Sequence, residues 1–199
     1  RGRSGETEYE SPLYKVENQG YIHYGKGSLI LYALQDYIGE EVVNEALREF
    51  LAKFRYAEPP YPTSYDFLDI LQPKVPDSLQ YLIKDWFMEI TLYDNRLMEA
   101  TSKKLDNGNY EITMNIESYK IKADSLGMEE QVDVNDWVDV GLYSDDDQKE
   151  LIYEKRMKFT EHKFSITVEV DTLPAKAAID PRRILIEREY DDNVKAIKD

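Results

Sequence analysis

The hydrophobic pattern of this chain changes period once. Up to about Tyr93 apolar residues recur at helical spacing, and beyond it they alternate with a period of two. In the first half, "LILYAL" from Leu29 to Leu34 is apolar on every side, as in a helix buried all round. That helix is expected from near Lys26 to Ile38, with Gly39 as its stop. The next, "EEVVNEALREFLAKF", places Val43, Ala46, Leu47, Phe50, Leu51 and Phe54 on one stripe. A proline-rich connection follows, and Thr63 with Asp66 has the spacing of a capping box for a short helix carrying Phe67, Leu68 and Leu71. Asp77 or Ser78 caps a fourth expected helix, whose stripe is Leu79, Leu82, Ile83, Trp86, Phe87 and Ile90.

In the second half, Tyr110, Ile112, Met114 and Ile116 face one way and Glu111, Thr113, Asn115 and Glu117 the other. Asn107-Gly108 just before them suits a tight hairpin turn. "VDVNDWVDVGLY", "LIYEKRMKF", "FSITVEV" and "RILIERE" read as further strands, and Asp180-Pro181 as a turn. The pattern therefore predicts an α+β chain of two domains: helices over residues 1–94, then an antiparallel, immunoglobulin-like β-sandwich over 95–199 that should fold on its own.

Composition narrows the function classes. The 199 residues hold 40 acidic and 25 basic side chains, a net charge of −15, which argues against nucleic acid and anionic membrane surfaces as partners. Cysteine is absent, so disulfides, thiolate catalysis and cysteine zinc sites are excluded. No apolar run approaches the roughly 20 residues that span a bilayer. The polar start "RGRSGETEYESP" lacks methionine and reads as a chain cut from something longer.

Little in the residues speaks of chemistry by itself. His23 and His162 belong to no paired-ligand motif, and His162 is expected in a turn. Counted from Asp133 as a calcium loop, the sixth and twelfth positions are Val138 and Ser144 instead of Gly and Glu, so that reading fails. "SDDDQKE" and "YDDN" read as solvated loops. The segment "YIHYGKG" stands out because it is polar and glycine-rich where a buried helix should begin. A tyrosine hydroxyl can donate to a developing oxyanion. Gly25 and Gly27 would allow a sharp turn, and a cation at Lys26 opposes the dipole of a helix starting there. His23 is expected to point away from its neighbour Tyr24.

Tyr24-Gly25-Lys26-Gly27, then Gly39-Glu40, then Trp86-Phe87 resemble the segment that follows the zinc site in aminopeptidase N-like zinc metallopeptidases (gluzincins). The resemblance spans Gln19 to Ile90, is looser beyond, and leans toward bacterial versions fused to transporter permeases. It implies that the helices end a thermolysin-like catalytic domain, that the sandwich follows it, and that the parent is membrane-associated. It assigns Tyr24 the role of stabilising the tetrahedral intermediate. In the family, zinc is held by H-E-x-x-H and a later glutamate, all upstream of this motif and absent here. The resemblance thus implies a C-terminal fragment, inert by itself, that binds no metal or cofactor; zinc and peptide substrate belong to the full-length parent. An upstream catalytic segment would cover the first helix, whose apolar face could otherwise support self-association. The alternative is a non-catalytic interaction or structural module.

Overall fold

The computed structural model describes residues 9–198. The chain is α+β, with N-terminal helices followed by antiparallel sheets. It divides into two compact units, Arg1–Thr91 with Lys122–Glu129, and Leu92–Ile121 with Glu130–Asp199.

The first unit is helical. A π-helical segment, Tyr21–Lys26, runs without a break into α1, Gly27–Ile38. Gly39 (φ 97°) ends α1, its N–H donating to the Gln35 carbonyl at 2.8 Å. Helix α2, Glu40–Phe54, buries Val43 and Ala46 and half-buries Leu47, Phe50 and Phe54, while Leu51 stays exposed. The capping box opens α3, Ser64–Leu71: the Asp66 carboxylate accepts the Thr63 N–H at 2.7 Å and the Thr63 hydroxyl at 2.9 Å. The expected fourth helix is broken up. A 3₁₀ turn, Asp77–Leu79, leads to the short α4, Tyr81–Ile83, and a second π segment, Lys84–Met88. Ile30, Leu34, Tyr37, Leu71, Leu82, Trp86 and Phe87 form the core, with Trp86 edge-on to Tyr37 at 5.3 Å. Lys122, in the part of the unit contributed from later in the chain, pairs with Asp85 at 3.0 Å and with Glu89.

The second unit is a sandwich of two four-stranded sheets. The long strand β1, Ile90–Lys104, enters this unit at Leu92 and turns at Gly108 (φ 93°) into β2, Tyr110–Ala123. Strands β3 (Glu129–Val132) and β6 (Lys163–Val170) also pair with β2. The other sheet runs β5-β4-β7-β8: Leu151–Phe159, Asp136–Tyr143, Lys176–Ile179 and Val194–Ala196. Ile112, Met114 and Ile116 of β2 and Val138, Val140 and Leu142 of β4 are buried in the core, and Phe159 meets Phe164 across the sheets at 4.7 Å. The alternation read in β2 is therefore its inward and outward faces. "RILIERE" forms no named strand: the Tyr93 N–H donates to the Ile186 carbonyl at 2.9 Å, and a single bridge joins Tyr93 and Glu187. "KAAI" and "VKA", not expected as strands, pair with each other instead.

Strand β4 is covered on both faces, and its glycine is required there. A Cβ on Gly141 would lie 2.8 Å from Leu151 Cδ1 and 2.9 Å from Pro181 Cγ. Gly141→Ala is expected to cost about 1–3 kcal/mol in chemical denaturation, because the proline ring has little room to yield. An unchanged midpoint would show that the strand shifts freely.

Two carboxyls are buried in this unit without a cation as their closest partner. Asp180, at φ 47°, accepts the Ile184 and Leu185 N–H groups at 3.0 and 2.9 Å. Glu187 accepts from the Asn95 N–H and from Asn193 Nδ2 at 2.8 Å, while the Ser118 hydroxyl donates to Asn95 Oδ1 at 2.7 Å. Burial pushes Glu187 from 4.5 up to about 7 and Asp180 from 3.8 up to about 6, against the backbone donors that lower both. A carboxyl raised in the folded state favours folding when protonated. Stability from Glu187 is therefore fully present below pH 4.5 and lost as pH rises through about 7. The loss is on the order of 3 kcal/mol. Glu187→Gln is expected to flatten the pH dependence of unfolding across that window, and an unaltered slope would refute the assignment.

Candidate functional site

The helix carrying Tyr24 begins earlier than its apolar pattern suggests. Gly20 has helical φ and ψ, and the wider π turn then carries Tyr21–Lys26. Ile22 anchors it, fully buried, and the Ile22 and His23 N–H groups donate to the Gln19 carbonyl at 2.9 and 3.1 Å. Gln19 is itself fixed, its Nε2 donating to the Tyr9 carbonyl at 2.7 Å. There is no sharp turn at the two glycines. Gly25 faces open space, and Gly27 lets Leu13 approach to 3.4 Å of where its Cβ would be. π segments interrupt helices mostly at single turns and often at functional positions.

Tyr24 stands out from this turn, 78% exposed. Leu29 and Tyr32 on the same helix are 47% and 56% exposed, while Ile30, Ala33 and Leu34 are buried. The apolar run is therefore covered on one side and bare on the other. His23 does not point away from Tyr24: the two rings lie 4.4 Å apart, tilted by 54°. His23 Nδ1 is buried without a hydrogen-bond partner. Lys26 sits in the last turn of the π segment, away from the true helix start at Gly20, so the expected conflict with the dipole does not arise. Burial lowers the Lys26 ammonium below the ordinary lysine range, against the opposing pull of Glu10.

No family model matches the chain, and no curated protein matches it. Among solved structures it is similar to Legionella pneumophila aminopeptidase A, determined in complex with aspartic acid, at 15% identity and a TM-score of 0.49. The match covers 97% of this chain and 23% of that one, so the chain spans less than a quarter of that protein's length.

The other sequence candidates are structural. His162 lies in the turn before β6, its Nδ1 3.1 Å from the Ser118 carbonyl and its ring stacked on Tyr119. In the acidic stretch from Asp133 to Asp139, Asp136 and Asp139 are buried strand residues with cationic partners: Lys120 at 3.0 Å for the first, Arg156 and Arg182 at 2.7 and 3.0 Å for the second. In "SDDDQKE" Asp145 closes its own turn, accepting from the Lys149 and Glu150 N–H groups. Among the described residues no group of three or more histidine, aspartate or glutamate side chains is placed to hold a metal. No helix there is long and apolar enough to cross a membrane.

Proposed function

We propose that this chain is the C-terminal portion of a zinc-dependent aminopeptidase, contributing the closing helices of its catalytic domain and the sandwich that follows. The observation that carries the reading is Tyr24: a phenol held outward, 78% exposed, at the front of a helix whose other face is core. Its hydroxyl is free to meet a carbonyl oxygen as negative charge develops there during attack on a peptide bond. The motif Tyr24-Gly25-Lys26-Gly27 resembles the one that supplies this donor in aminopeptidase N-like enzymes. The bare side of α1, with Tyr32 and Leu29, is the surface an upstream catalytic segment would cover. Among the described residues no side chains are grouped to hold a metal, and on this reading the zinc and the groups that hold it belong to that segment.

The coding sequence upstream of Arg1 tests the proposal. It should contain H-E-x-x-H with a glutamate soon after. The longer protein should hold zinc at a ratio near one and release N-terminal residues from aminoacyl-4-nitroanilides. The 199-residue chain should do neither and should self-associate through α1. A longer protein without those residues, or zinc in this chain lost on His23→Ala, would replace the enzyme reading with that of a binding or structural module.

A further inference from the structure

A cleft of about 390 Å³ opens in the second unit, far along the chain from Tyr24. Its edge is built from β7 and β8, where Lys176 pairs with Ala196. Lys195 on β8, Lys176 on β7 and Arg183 in the turn after Asp180 all line it. So do Gln148, Tyr190 and Asp191. The chain as a whole carries a charge of −15, yet this wall bears three cations and one carboxylate. Two buried or half-buried cations of the same unit, Lys120 and Arg156, are neutralised by aspartates, while half-buried Lys158 donates to the Asn135 carbonyl. Those of the cleft are not so neutralised. Lys176 Nζ donates to a neutral acceptor, the Asp146 carbonyl, at 2.6 Å. Arg183 lies over the Tyr190 ring at 5.6 Å, which orients its guanidinium plane without consuming its donors. Lys195 is in no ion pair among the described residues.

The backbone gives a second, independent sign. Gln148 and Arg183 are in the left-handed region, at φ 61° and 55°, which glycine would occupy without strain. Both are held there by turns, the Arg183 N–H donating to the Asp180 carbonyl at 2.9 Å. Both keep a long polar side chain that lines the cleft. Strain of this kind persists where the surrounding structure fixes it, and it clusters at ligand sites.

We propose that this cleft binds a small dianion bearing oxyanion groups, a phosphate monoester or a dicarboxylate, with Arg183 as the fork and Lys195 and Lys176 as flanking charges. A polyanion needs an extended basic footprint, which this acidic surface lacks; a small dianion needs only the local field.

The test is titration of the 199-residue chain with inorganic phosphate and, separately, with succinate, at constant ionic strength, followed by amide chemical shifts. One of the two should saturate at a single site, moving amides of the turns at Gln148 and Arg183 and of β7 and β8. Tighter phosphate assigns the phosphomonoester class and tighter succinate the dicarboxylate. Lys195→Gln should weaken binding about tenfold, the loss of one charge-assisted contact. Arg183→Gly should abolish binding while holding or raising the melting temperature, because glycine relieves the φ of 55°. Lys155→Gln, an exposed charge outside the cleft, should change nothing. Neither anion saturating, or an equal loss with Lys155→Gln, would overturn the site.

Discussion

In the full-length enzyme proposed above, Tyr24→Phe is expected to lower kcat by roughly 10²–10³, about 3–4 kcal/mol of transition-state stabilisation, with KM nearly unchanged. The hydroxyl answers a charge that exists only as the carbonyl is attacked, so its loss leaves ground-state binding alone. Folding should not confuse the result. The ring is 78% exposed and phenylalanine keeps its contact with His23, so the melting temperature should hold. The two rings lie 4.4 Å apart. His23→Ala removes the ring beside Tyr24 and should reduce kcat modestly, through the position of the phenol. Should Tyr24→Phe retain normal turnover while His23→Ala abolishes it, the two roles are exchanged and Tyr24 is only a surface tyrosine.

Lys120→Met should be the most damaging single change in the sandwich, at about 3–5 kcal/mol. Lys120 and Asp136 are 6% and 2% exposed, and their 3.0 Å pair joins β2 to β4 through the core. Removing the lysine leaves a buried carboxylate hydrogen-bonded by the Tyr93 hydroxyl at 3.3 Å and the Asn135 N–H at 3.1 Å, with Lys158 as the remaining nearby cation. Lys120→Met with Asp136→Leu should recover most of the loss, since neither desolvated charge remains. Hydrogen exchange of the β4 amides is the measurement suited to a chain of two units, because it reports opening of this sheet alone. A cost under about 1 kcal/mol for Lys120→Met would mean that water reaches the pair.

Where the governing physics is local, the sequence by itself determined the outcome. Gly39 ends α1 because only glycine takes its φ cheaply. The Thr63–Asp66 box, the Asn107-Gly108 hairpin and the two faces of β2 follow from contacts within a few residues or from strict alternation. The bare side of α1 was not set by spacing, since Leu29–Leu34 is apolar on every side; only the packing of Ile30, Ala33 and Leu34 decides which side is covered. What only the tertiary structure decided depends on partners far apart in the chain. Burial of Asp136 and Asp139 required Lys120, Arg156 and Arg182, which are 16, 17 and 43 residues away. "RILIERE" has strand-like residues, but Glu187 is held inward by Asn95 and Asn193, so the segment makes a bridge instead of a ladder. The fourth helix divides because Trp86 and Phe87 must reach the helical core while Ile90, on the same apolar stripe, already starts β1. The three cations of the cleft lie on β7, on a left-handed turn and on β8, and no period in the sequence joins them. Strand pairing brings two of them to one edge, because hydrogen-bonded ladders place residues by register and not by their distance along the chain.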